Sequence, residues 1–317
     1  MSAVVVPEAG AVPDEPVVRV PKKRWTRFIL PVFTLGMIVY LAFPVFVMIL
    51  YSFNVLPTSG ESVRQNAQFT CCTLDWWRGI LDVPSLNEAL RTSIVVAIPA
   101  AAVATVLGTF LGLVLGRYSF RGRGATSFII FLAIAVPEIV LGSSLLSMFV
   151  QINNHHPGGI TIPLGYRTIL LSHIAFSIAF VAITVRARVQ GLDMTLENAA
   201  QDLFASPRVA FIKVTLPLIL PGIVAGFLLA FVLSLDDFVI TNFVNADTNT
   251  FPTWVYGAVR LGVPPQVNVW GTVLFTVGVL TAGIQVLRAR TSERAIQRNE
   301  KIEGVAPGAT VAVAAGK

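Results

Sequence analysis

Six long apolar stretches decide what this chain can become. A helix needs about 20 mainly apolar residues to cross the hydrocarbon of a bilayer. Residues 28–53, 92–115, 127–152, 169–185, 218–244 and 267–287 each meet or approach that length. Charge is correspondingly scarce, 13% of 317 residues, against about 25% in a soluble domain. The pattern predicts an all-α membrane protein with six transmembrane helices. Pro44, Pro99, Pro137 and Pro221 fall inside these stretches, which membrane helices tolerate because neighbours satisfy the freed carbonyls. The first stretch begins only after residue 27 and is long enough to span, so it reads as a retained helix and not a cleaved signal peptide.

The basic balance, +6 overall with a pI near 9.7, would suggest nucleic acid until the basic residues are located. With a cytosolic N-terminus, 18 of the 23 Lys and Arg residues fall in cytosolic segments. Arg64, Arg78, Arg91, Arg167 and Arg260 are left outside. Positive charge flanking membrane helices on the inner side fixes orientation, so both termini are expected in the cytosol of a cell-membrane protein. The surroundings are then lipid, and no nucleic-acid partner is implied. Residues 1–27 and 291–317 are expected to be cytosolic tails around a membrane domain over 28–290, the first disordered and the second unstructured over 304–317, where no periodic apolar face is offered. Cys71 and Cys72 are adjacent and imply no disulfide framework. His155 and His156 have no further ligands in pattern, so no metal site is expected. No stretch has the spacing of a phosphate-binding P-loop, so ATP hydrolysis by this chain is not expected.

The segment at about 190–217 is the most informative loop. Leu196, Ala199, Ala200 and Leu203 have helical spacing, Ser206-Pro207 reads as a helix start, and Val209, Ala210, Phe211 and Val214 follow before Leu216-Pro217. Two short amphipathic helices fit, either as a docking element or as a connector on the membrane surface. The register Asn198-Ala199-Ala200, three residues, Phe204, nine residues, Val214, Thr215, Leu216-Pro217 resembles the EAA loop of binding-protein-dependent ABC importer permeases. That resemblance implies the type I (MetI-like) permease fold and a coupling loop, carried here by Glu197, Asn198, Ala199, Ala200, Asp202, Phe204, Leu216 and Pro217. Two positions depart from the pattern. Its glutamate is Asn198, with Glu197 one place earlier, and its glycine is Phe204. A positive φ is unfavourable for phenylalanine, so either the turn is reshaped or an aromatic knob fills the ATPase cleft.

Carboxylates within a bilayer cost about 2.5–3.5 kcal/mol on insertion scales, and so each one calls for a role. Glu138 falls near the midplane of the third stretch, and Asp236-Asp237 near the outer end of the fifth. Glu138 reads either as a neutral acid hydrogen-bonded across helices or as part of a cation pathway. The Asp pair reads as a structural cap or as that same pathway. Leu233 to Phe243, Val136 to Val140 and Arg117 to Gly122 resemble segments of the polyamine (spermidine/putrescine) branch of these permeases. The resemblance implies Glu138, Ser234, Asp236 and Asp237 along a polyamine route, with Trp76 near its outer entrance. It also implies a second permease subunit, two ATPase subunits that bind ATP-Mg, and an extracytoplasmic substrate-binding protein. This chain itself would carry no cofactor. The alternatives are an importer permease for another small cationic or metal-complexed solute, or an ion-coupled secondary transporter using the same acids. A secondary transporter has no reason to keep the loop pattern.

Overall fold

The computed structural model describes residues 26–55, 69–155, 161–193, 195–260 and 263–302. Of the tails expected over 1–27 and 291–317, residues 1–25 and 303–317 lie outside these, as does His156, whereas 291–302 is helical and continues the last span. Among the described residues the chain is helical, with a single isolated β-bridge pairing Asn54 and Cys71. Five helices are long and apolar enough to cross a membrane, and a bent pair supplies a sixth span. They are α1 (Thr26–Tyr51), α3 (Pro84–Arg117), α6 (Tyr166–Gln190), the continuous Pro207–Asp236 helix that ends in α9 (Leu216–Asp236), α12 (Gln266–Ile302), and the pair α4 (Arg123–Ala135) and α5 (Glu138–His155). Short helices α2 (Asp75–Arg78), α7 (Thr195–Asp202), α8 (Pro207–Ala210), α10 (Val239–Val244) and α11 (Phe251–Val259) complete the order.

Two expected spans are not straight. The third breaks at Val136-Pro137, where α4 and α5 meet at 104°. Proline lacks the N–H for the helical ladder, and its ring disfavours helical backbone at the residue before it. Val136 is accordingly extended, at φ −66° and ψ 130°. The fifth breaks after Asp236: Asp237 is extended (φ −63°, ψ 120°) and α10 starts a new axis. The second helix expected in the cytosolic loop is not separate either. Pro207 opens α8, which runs through a π-helical turn at Phe211–Thr215 directly into α9.

The core is the contact of α3, α6 and α9. Lipid chains are as apolar as leucine, so membrane helices associate chiefly through close packing, which small residues allow. Gly108, Gly112 and Gly116 repeat at four-residue spacing on α3 and meet Val181, Ala182 with Val185, and Val189 of α6. A Cβ on Gly112 would stand 2.8 Å from the Ala182 carbonyl oxygen. On the other side of α6, Gly226 lets α9 approach Val181 and Gly222 lets it approach Arg188. Val181, Val185, Ile219 and Ala230 are wholly buried at this junction. The glycine stripe is therefore spent inside the subunit. By contrast α1 packs chiefly on α12 and exposes Phe28 through Phe46 on most faces. On the α2 side of the fold, Cys71 and Cys72 pair with each other and tie no two elements together.

Gly112→Ala is expected to push α3 from α6 and lower stability by about 1–3 kcal/mol. Gly36→Ala, with nothing within 4 Å of its added carbon, should cost nothing. Thermal unfolding of the detergent-purified chain checks both.

Candidate functional site

The broken spans bring acids together. Asp236 ends α9, Asp237 occupies the break, and Glu138 opens α5. Helix α5 packs on α10, where Gly142 fits against Phe243 and Ile240. This seats Glu138 within electrostatic range of both aspartates. Glu138 and Asp236 are exposed in the subunit, whereas Asp237 is 8% exposed and Ser234 4%.

Asp236 lies on the wall of a cavity of about 820 Å³ between α9, α11 and α12. Its lining is apolar except for Asp236, Tyr256 and Asn268, and Asp236 is its one carboxylate among the described residues. Phe238 and Tyr256 stand on the same wall with ring centroids 4.5 Å apart. The Arg260 guanidinium already lies over the Tyr256 ring at 5.9 Å. One carboxylate with aromatic faces in an apolar chamber is chemistry suited to an organic cation, which gains ion pairing and cation–π attraction together.

Ser234 and Asp237 turn away from that cavity into a buried polar cluster. Asp237 Oδ2 accepts the Thr241 N–H at 2.8 Å and the Thr241 hydroxyl at 2.7 Å, and it lies 3.2 Å from His173 Nε2. His173 Nε2 also lies 2.9 Å from Thr241 Oγ1, and its Nδ1 lies 2.7 Å from Ser234 Oγ. In the sequence His173 is a lone helical histidine, which reads as a hydrogen-bonded packing residue. A serine, a histidine and an aspartate in contact would suggest a hydrolytic triad. Here all three are at least nine-tenths buried, so no substrate bond can reach the serine oxygen.

Trp76 stands apart from the acids. It belongs to α2, and its indole N–H donates to the Asn54 carbonyl at 2.7 Å.

The loop of α7 leaves its apolar face open and buries a charged residue. Leu196 and Leu203 are exposed, and the buried residue of α7 is Glu197. Its Oε1 pairs with Arg117 at the end of α3, and its Oε2 accepts the Thr215 hydroxyl at 2.5 Å. The glutamate one place early is thus a strut joining α7 to α3 and to the π-turn below α9. Asn198, Ala199 and Asp202 remain exposed, Ala200 and Leu216 are half-buried, and Pro217 is exposed. Phe204 takes φ +64°. Its N–H donates to the Gln201 carbonyl, and the Ala205 N–H donates to the Ala200 carbonyl, the bond pattern of a Schellman helix end where glycine is usual. The turn is therefore not reshaped. Phenylalanine accepts a left-handed backbone costing about 1–2 kcal/mol, and its ring is 99% exposed.

The hydrogen bond from Arg117 holds the Glu197 carboxyl below its ordinary range, against burial, with Thr215 assisting. A depressed carboxylate contributes stability above its unfolded pKa of about 4.3 and loses it as pH falls through the lower folded value. Glu197→Gln should therefore speed amide exchange in α7 about fivefold at pH 7, worth about 1 kcal/mol. The difference from wild type should fade below about pH 4. Hydrogen-exchange measurements across that range check it.

Comparison with known proteins places this geometry. The family described as "binding-protein-dependent transport system inner membrane component" matches residues 108–289. The putrescine transport system permease protein PotI of Escherichia coli (strain K12) is 36% identical over 289 residues, covering 89% of this chain and 96% of that protein. The spermidine/putrescine transport system permease protein PotC of the same strain is 34% identical over 252 residues, covering 79% and 90%. Among solved structures, a bacterial ABC transporter involved in the import of the acidic polysaccharide alginate aligns with TM-score 0.55 at 16% identity, over 84% of this chain and 97% of that one. The inward-facing MetNI methionine ABC transporter aligns with TM-score 0.50 at 19% identity, over 64% and 95%. These two likenesses concern the fold.

Proposed function

The chain belongs to the family of binding-protein-dependent transport system inner membrane components, and from that membership we propose that it is one transmembrane subunit of an ATP-driven importer of polyamines. The observation that carries the substrate class is Asp236 with Phe238 and Tyr256 in an otherwise apolar chamber. The carboxylate pairs with an ammonium group, and the methylene chain between ammonium groups suits the apolar walls. Glu138, exposed at the start of α5, offers a second anionic point to a cation with more than one charge. The names of the putrescine and spermidine/putrescine relatives agree with that chemistry.

The assembly we propose contains a second permease (PotB-like), two ATPase subunits (PotA-like) and an extracytoplasmic binding protein (PotD-like). Trp76 sits on the outer side, toward the binding protein, and both termini are cytosolic, as the basic flanks argue. The ATPase subunits take the loop of α7 and the segment to Leu216-Pro217. Motion of that loop reaches the membrane helices along two rigid lines. One is the Glu197–Arg117 strut to α3, and the other is the unbroken Pro207–Asp236 helix, which ends at the carboxylate facing the cavity. Phe204, exposed and held in a strained turn, is the aromatic knob that enters the ATPase cleft.

Uptake of labelled putrescine and spermidine into cells carrying the whole complex tests the substrate. Asp236→Asn and Glu138→Gln should each depress uptake about tenfold or more, the loss of an ionic contact. Full uptake by both variants would remove the cation route. Uptake should survive dissipation of the proton gradient while ATP is maintained, and its loss there would favour ion coupling. Phe204→Asp should abolish substrate-stimulated ATPase activity in the reconstituted complex while the chain still inserts, and unchanged stimulation would refute the knob.

A further inference from the structure

Asp236 and Asp237 are neighbours in sequence but belong to different environments. Helix α9 ends at Asp236, and the extended backbone of Asp237 turns its side chain over the first amides of α10. Its Oδ2 receives the N–H and the O–H of Thr241, and its Oδ1 stands 3.4 Å from the Ile240 N–H. His173 Nε2 closes the set at 3.2 Å. Oδ2 thus meets three of these groups and Oδ1 one, and the residue is 8% exposed. A residue so engaged and so buried has no face left for a substrate ammonium.

The protons of the cluster can be assigned. Thr241 gives its hydroxyl proton to Asp237, so its oxygen accepts from His173 Nε2–H. His173 Nδ1 is then the acceptor, and Ser234 Oγ–H is its donor. Each hydrogen has one acceptor in this arrangement. The result is a chain from Ser234 on α9, through His173 on α6, to Thr241 on α10 and back to Asp237 in the break. We infer that Asp237 is a positioning residue which, with His173, Ser234 and Thr241, locks the interruption of the fifth span, and that Asp236 alone of the pair meets the transported cation. The second half of this inference rests on the polyamine reading above, and the first half does not.

Asparagine distinguishes the two roles. Its carbonyl oxygen can take the place of Oδ2 and keep both bonds from Thr241, giving up only the long contact from the Ile240 N–H, so most of the lock survives loss of charge. A contact to an ammonium does not survive it. The complete importer is reconstituted in proteoliposomes with ATP and the binding protein, and labelled putrescine uptake is resolved into KM and Vmax. Asp236→Asn should raise KM about tenfold or more, and Asp237→Asn should leave KM within about twofold, with any loss confined to Vmax. A KM increase for Asp237→Asn as large as that for Asp236→Asn would overturn the assignment.

Asp237→Ala and His173→Ala remove the lock itself. Their effects on the thermal midpoint of the purified complex should be non-additive, the double variant losing little more than either alone. Full additivity would overturn the lock. That second measurement needs no transported substrate. If wild type takes up no polyamine, the functional reading fails while the lock is still decided by the thermal cycle. If Asp237→Ala does not assemble, the two asparagine variants still decide between the roles.

Discussion

A helix interrupted inside a bilayer leaves amides and carbonyls that no water can reach, and this constraint governs the fifth span and what surrounds it. Each unsatisfied backbone group in hydrocarbon costs several kcal/mol, so a break persists only where side chains replace the missing partners. Asp237 supplies acceptors to Ile240 and Thr241, and His173 ties that carboxylate back to Ser234. The interruption frees Asp236 from continuing a helix and leaves it on a cavity wall. A buried polar network and an exposed charge, one residue apart, are thus two results of one backbone event.

The network also depends on the packing beneath it. His173 lies on α6, and α6 is held against α3 and α9 by glycines that admit no side chain. At its loop end this bundle is gripped by Glu197, which reaches both Arg117 and Thr215. The loop and the cavity are therefore opposite ends of a connected set of helices. This is the mechanical requirement for a subunit whose energy arrives from an ATPase at one face and whose cargo enters at the other.

The membrane class was legible because the bilayer imposes a length that composition displays directly. The breaks were not. Pro137 is compatible with either a tolerated kink or a turn of 104°, and the apolar run through 218–244 continues across Asp236-Asp237 without a change in pattern. On helix α7 periodicity marks the apolar face of Leu196 and Leu203, which the fold leaves open, but gives no sign that Glu197 is buried. That burial depends on Arg117, 80 residues away, and no local pattern contains it. The departures at Asn198 and Phe204 were visible in sequence, but their outcome was not. The backbone kept the glycine turn, and the aromatic bore the strain. Glu138, Ser234, Asp236 and Asp237 were marked together in the sequence, but only the structure separates Asp236 on the cavity wall from Ser234 and Asp237 in the buried cluster, because the break in the fifth span that parts them leaves no local pattern.

The account as a whole requires that charge on the solute, and not its length or apolar character, be what the pathway reads. The direct measurement is ATP hydrolysis by the complete reconstituted importer with its binding protein, comparing putrescine with the uncharged diol of equal chain length. Stimulation by putrescine and none by the diol is the predicted result, with the putrescine response shifted to higher concentration in Asp236→Asn. Equal stimulation by the two compounds, or a response unshifted in that variant, would contradict it.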